Sequence, residues 1–217
     1  MTVAGIAGAA YLFLQRLGLD PWAWTGNVNT WSGRQMGFAG NPVFSGALLA
    51  LALPWVASWW AVDGMCGAIW FTGSRAALLA AGAVVAWRLW GRPEHRRALI
   101  GLAVLVSLFL VYHHRPVSDA QHVAIARVSL RAWMVRPWLG WGPATGAVWF
   151  IRNNDAATSA AMLGNICKHS HNLITNVLAS QGLLGLAAWA LLLVTAWRVA
   201  TPKTRAALLS MAVFGMF

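Results

Sequence analysis

Apolar runs and short polar breaks alternate along this chain. The runs fall near 1–15, 43–60, 61–74, 75–90, 98–114, 171–197 and 206–217. The segments from Val43 to Val62 and from Leu173 to Trp197 hold no charged residue at all. Each meets the requirement of about 20 apolar residues for a helix crossing ~30 Å of hydrocarbon. The pattern predicts an all-α fold: a polytopic transmembrane helix bundle of about six or seven spans, as a single domain over 1–217. One long polar interval interrupts it, at 115–168, with an amphipathic helix expected over 119–136.

Composition agrees with that pattern. Of the 217 residues 59% are hydrophobic and 10% charged, against roughly 25% charged in a soluble domain. Trp55, Trp59, Trp60, Trp87, Trp90 and Trp197 lie near the ends of expected spans, as an interfacial aromatic belt would. Met1–Leu14 lacks a basic start before its apolar run, so it does not read as a secretory signal. That run, and the one reaching Phe217, suggest a piece of a longer protein. Cys66 and Cys167 sit in different contexts and imply no disulfide framework.

The net charge of +11 raises the question of nucleic acid. A nucleic-acid surface needs a solvated basic face, whereas these arginines punctuate hydrophobic segments. Anionic lipid or a phosphorylated substrate is the better-matched partner. The basic connections Arg88–Arg97 and Arg198–Arg205 belong inside by the positive-inside tendency, which places 16–42 and 115–168 outside. More than half of the cations then also lie outside, which suggests they are kept for a function.

One position decides the parity. An unbroken helix from Gly64 to Trp87 would place Arg75 at mid-bilayer, at a cost of at least ~2.5 kcal/mol. A break at Thr72-Gly73-Ser74, with Ser74 as N-cap and Gly73 in the turn, puts 16–42, Arg75, 115–168 and His171 on one face. Three helices then start from outside: at Asn41-Pro42, at Thr72-Gly73-Ser74-Arg75 and at His169-Ser170-His171-Asn172. Helix N-termini bind anions readily. Arg34 and Arg75 accompany two of them, and Arg127 and Arg131, four apart on one helix face, form a candidate double-cation clamp for a diphosphate.

Other readings compete at each site. Cations near span ends often bind lipid headgroups or snorkel. Cys167, His169 and His171 do not have a standard zinc spacing, so no metal and no cofactor is expected. His171 is then a cap or a general base. His113-His114 reads as an interface pair. The five acidic residues are scattered, which argues against a paired-carboxylate glycosidase.

The same residues carry a family resemblance. RQMGFAGNPVFSG at 34–46, TGSRAALLA at 72–80, RPWLGWGPATG at 136–146 and HSHNLITNVLASQGLLG at 169–185 resemble, in order, four motifs of the O-antigen ligase and polymerase superfamily. In the last motif ten residues separate His171 from Gly182. The resemblance implies a metal-independent membrane glycosyltransferase in the bacterial inner membrane. It would move a glycan from undecaprenyl diphosphate to a hydroxyl of a lipid A-core sugar, a glycan or a protein, at the periplasmic face. Arg75 would bind the donor diphosphate and His171 would activate the acceptor. Arg34, Arg127, Arg131, His169 and Asn172 are further substrate-binding candidates. A gap-free reading puts His122 in the slot of the family's second arginine; Arg127 and Arg131 fit with a shift and are preferred, because diphosphate calls for a permanent cation. The rival class is a transporter of a small anion such as bicarbonate, for which an unbroken 64–87 helix with a midplane Arg75 would serve.

Overall fold

A computed structural model describes residues 1–20, 33–90, 94, 96–112 and 115–216; the His113-His114 pair and residues 21–32 of the 16–42 connection lie outside them. The described residues contain helices and no strand. In chain order the helices are α1 (Thr2–Arg16), α2 (Pro42–Ala52), α3 (Trp59–Thr72), α4 (Arg75–Leu89), α5 (Arg96–Tyr112), α6 (Pro116–Val135), α7 (Gly146–Asn153), α8 (Ala156–Ala161), α9 (Leu173–Val199) and α10 (Pro202–Gly215). Two compact units emerge, one of Met1–His113 with Ala200–Phe214, the other of His114–Val199 with Gly215–Phe217.

The all-helical expectation holds, and one of the expected spans stands out by length. Among the described residues only α9, with 27 residues and a mean hydropathy of 2.0, is by itself long and apolar enough to cross a membrane. Helices α1 to α5 have 11 to 17 residues, short of the roughly 20 a perpendicular crossing takes. Local chemistry shortens them. Pro54 lies in a 3-10 turn, Leu53–Trp55, that closes α2, and Gly73 stops α3 in the left-handed region (φ 58°).

In the first unit α2 packs on α3 and α4, α1 on α2 and α3, and α5 on α4. The shared core is built from Leu12, Leu49, Leu53, Met65, Ile69, Ala77, Val84 and Ala206. Small residues let the helices approach closely. A Cβ at Gly46 would stand 2.7 Å from the Ala77 methyl and 3.0 Å from the Thr72 hydroxyl oxygen, so α2 lies directly against the α3–α4 turn. Trp59, Trp60 and Trp90 stay exposed at helix ends, in keeping with interfacial anchoring.

In the second unit the polar interval is largely helical. Helix α6 starts at Pro116 rather than 119 and packs on α7, α8 and α9. The core is formed by Ile125, Val128, Ala132, Trp149, Phe150 and Ala179. Helix α9 is not continuous, since Gly182 takes φ 68°, ψ −164°. Two rungs of the helical ladder, from Leu183 and Leu184 back to Ala179 and Ser180, are thereby opened. The 137–142 segment fills both: Leu183 and Leu184 N–H donate to the Pro137 and Trp138 carbonyls (2.8 and 3.1 Å), while Trp141 and Gly142 N–H donate to the Ala179 and Ser180 carbonyls (3.0 and 2.7 Å). The four groups released by the two opened rungs are thereby paired, as a break in an apolar helix requires. A Cβ at Gly182 would lie 2.4 Å from Trp138 backbone atoms, and one at Gly140 2.5 Å from the Ser180–Gln181 peptide. Both positions are glycine because two main chains touch there.

Candidate functional site

The first unit builds its site at the α3–α4 turn. Thr72 and Ser74 are buried there. The Thr72 hydroxyl donates to the Ile69 carbonyl (2.6 Å) and accepts from the Ser74 N–H, and the Ser74 side chain accepts from the Ala77 N–H (3.3 Å). This side-chain cap begins α4 at Arg75. The segment at 34–37 docks onto the same turn. Arg34 Nε donates to the Thr72 carbonyl (2.5 Å), Gln35 N–H to the Phe71 carbonyl, Gly37 N–H to Gln15 Oε1, and the Ser45 hydroxyl to the Met36 carbonyl. Asn41 caps α2 as the sequence implies, its side chain accepting from Val43 and Phe44 N–H, with Pro42 at the first helical position.

Arg34 and Arg75 are thus brought to one turn. Arg75 occupies the first position of a helix whose first turn carries no acid. A cation there opposes the positive end of the helix dipole, so the place favours an anion beside it. The turn also removes the basis for the transporter reading, because Arg75 opens a helix rather than sitting midway along an unbroken one.

The second unit gathers three histidines. His171 precedes α9, with ring centroids 5.0 Å from His169 and 5.7 Å from His122 on α6. The His171 backbone is left-handed (φ 54°), a conformation that costs a non-glycine residue about 1 kcal/mol or more. Its neighbours hold it there. The Cys167 thiol donates to the His169 carbonyl (2.7 Å), the N–H of buried Ser170 donates to Asn176 Oδ1 (3.2 Å), and the Lys168 carbonyl fills the space where Gly146 would carry a Cβ. The basicity of His171 falls below the ordinary histidine value, first because surrounding atoms desolvate the ring, then through repulsion by His169 and His122. It keeps an exposed edge toward solvent. The ring therefore stands neutral at neutral pH, able to accept a proton.

Three expectations change here. Asn172, not a histidine, caps α9: its Oδ1 accepts from the Thr175 N–H (3.1 Å) and its Nδ2 donates to the Met216 carbonyl (2.6 Å). With its amide engaged at both ends, Asn172 shapes the turn that begins α9. The double-cation clamp does not form either. Arg131 pairs with Asp155 at 2.5 Å, and Asp155 also caps α8 through the Thr158 N–H (2.7 Å). Those Thr158 bonds first, then Arg131, hold the Asp155 carboxyl well below the usual range. Arg127 is exposed. Finally, the residue of α6 beside His171 is His122, the one a gap-free reading would have chosen. The preference for a permanent cation pointed away from it.

With four motifs now seen to build these two turns, comparison with known families is decisive. A family described as O-Antigen ligase matches residues 60–190. The chain belongs to the O-antigen ligase family. That membership brings ligase- or polymerase-type glycan transfer in general, with lipid-linked glycan donors, glycan acceptors and a membrane setting. It gives an anion transporter no support. No curated protein and no solved structure matches the chain significantly. Among the described residues no group of three His, Cys, Asp or Glu is placed to hold a metal ion. In this O-antigen ligase family member, the matched span takes in the Arg75 turn, the 137–142 splice and the His171 turn.

Proposed function

We propose that this chain transfers a glycan from undecaprenyl diphosphate to an acceptor hydroxyl at the periplasmic face of the inner membrane, as a multi-pass domain whose 115–168 region lies outside. Arg75, assisted by Arg34, holds the donor diphosphate and stabilises the charge that develops on it as the bond from the anomeric carbon to the phosphate oxygen breaks. Neutral His171 removes the acceptor proton as the new bond forms from the opposite side, so the anomeric configuration inverts. Desolvation first, then His169 and His122, lower the basicity of His171, and His122 or Arg127 supplies further charge toward the diphosphate.

The observation that carries this reading is the use to which the motifs are put. Each fixes a turn that ends in one of two side chains, Arg75 or His171. The test is transfer in vitro from an undecaprenyl-diphosphate-linked glycan. Arg75→Ala and His171→Ala should each lower turnover by roughly 100-fold or more, with Arg75→Lys partly active. Near-normal turnover in either alanine variant removes the assignment. Cysteines placed at 34, 75 and 171 should all react with an impermeant reagent from the periplasm.

A further inference from the structure

Beyond the histidine turn, the second unit holds a cationic and aromatic cluster that the proposed chemistry does not use. Arg136 and Arg152 both lie over the Trp141 ring, their guanidinium carbons 4.4 and 5.7 Å from its centroid. Both are exposed, and among the described residues no carboxylate pairs with either. Two like charges gathered on one indole repel unless an anion lies near. Trp141 is rigidly placed, since its N–H bonds the Ala179 carbonyl and its indole N–H the Ala132 carbonyl (2.8 Å).

Depth supplies the second argument. Below the Gly182 break, Leu183–Val199 runs apolar and largely exposed, with Leu191 at 69% and Leu192 at 58%. This piece rises roughly 26 Å, close to the ~30 Å hydrocarbon thickness, and Arg198 marks its far end. The break then sits at the near membrane surface. The Trp138 carbonyl is bonded to Leu184 N–H, so the loop lies at that same level. Its Trp138 and Leu139 side chains are 64% and 72% exposed, although both are large and apolar. A Trp-Leu pair flanked by unpaired arginines at the headgroup level is the chemistry of an interfacial anchor.

We propose that the 136–139 loop and α7 form a phospholipid-binding foot. Arg136 and Arg152 hold the phosphate of an anionic phospholipid, while Trp138 and Leu139 enter the acyl boundary. The proposal rests on α9 crossing the bilayer, and the test separates the two. In a Cys66→Ser/Cys167→Ser background, spin labels go at position 139 or 191, with the chain in nanodiscs of phosphatidylglycerol and phosphatidylcholine. Both labels should be more accessible to oxygen than to an aqueous nickel chelate, 191 the deeper. A buried 191 with a water-exposed 139 overturns the foot alone; a water-exposed 191 overturns it together with the crossing. By native mass spectrometry, Arg136→Gln/Arg152→Gln should lose the preference for phosphatidylglycerol over phosphatidylcholine by roughly tenfold. An unchanged preference reduces the pair to a stacking contact and overturns the proposal.

Discussion

Both units interrupt a helix with a glycine of positive φ, yet they repair the interruption differently. At Gly73 the repair is local: Thr72 and Ser74 supply hydroxyls to the backbone beside them. At Gly182 it is distant, with four backbone hydrogen bonds arriving from residues about 40 positions earlier. A local cap sets where one helix begins. A remote splice also fixes a second segment, and here that segment leads into Gly146 and the Lys168 carbonyl that steadies the His171 turn. The first kind of break tolerates small losses, whereas the second propagates them.

Substitution at the splice should therefore have the largest effect. Gly182→Ala combines a φ of 68° with a main-chain overlap, and should destabilise the second unit by about 3 kcal/mol or more. A fall in thermal midpoint accompanied by lost transfer activity would show it; a wild-type midpoint would mean that the loop is not spliced into α9. At the local break, Ser74→Ala removes one cap bond and should lower stability by about 1 kcal/mol, visible as a modest shift in denaturant midpoint. A loss as large as that of Gly182→Ala would abolish the distinction between the two repairs.

The histidine turn offers a finer probe. Turnover that needs neutral His171 should rise along an acid limb lying below the ordinary histidine range. His122→Gln removes one repelling group, so the limb should move to higher pH; movement the other way would show that His122 does not act on His171 as a like charge. The smallest effect belongs to Asp155. Its carboxyl is held below the usual range, so its contribution to stability is complete above the ordinary Asp value and is lost as pH falls below it. Asp155→Asn should flatten the acid dependence of the second unit's melting while leaving the first unit's unchanged.

The difference between the repairs also explains what the sequence disclosed. Asn41-Pro42 and Thr72-Gly73-Ser74 announced their helix starts because capping acts over two or three residues. Hydropathy, by contrast, does not register how soon Pro54 stops α2, so the lengths of the early helices were not legible from it. The splice at Gly182 left only spacing behind, ten residues lying between it and His171, because its partners are main-chain atoms far along the chain. Arg127 and Arg131 resembled a clamp on helical periodicity alone; Asp155, which takes Arg131 away, is remote in sequence. A gap-free alignment of the motif reaches His122, and its position on α6 brings its ring to His171.

The joint between the 137–142 loop and α9 is made from four peptide–peptide hydrogen bonds. Trp141 alone adds a side-chain bond, from its indole N–H to the Ala132 carbonyl, whereas exposed Trp138 and Leu139 are open to exchange without loosening the joint. A graft carrying different residues at 138 and 139 can be seated on the same helix break, so the surface the loop offers to its surroundings can be re-tailored while the histidine turn above stays in register.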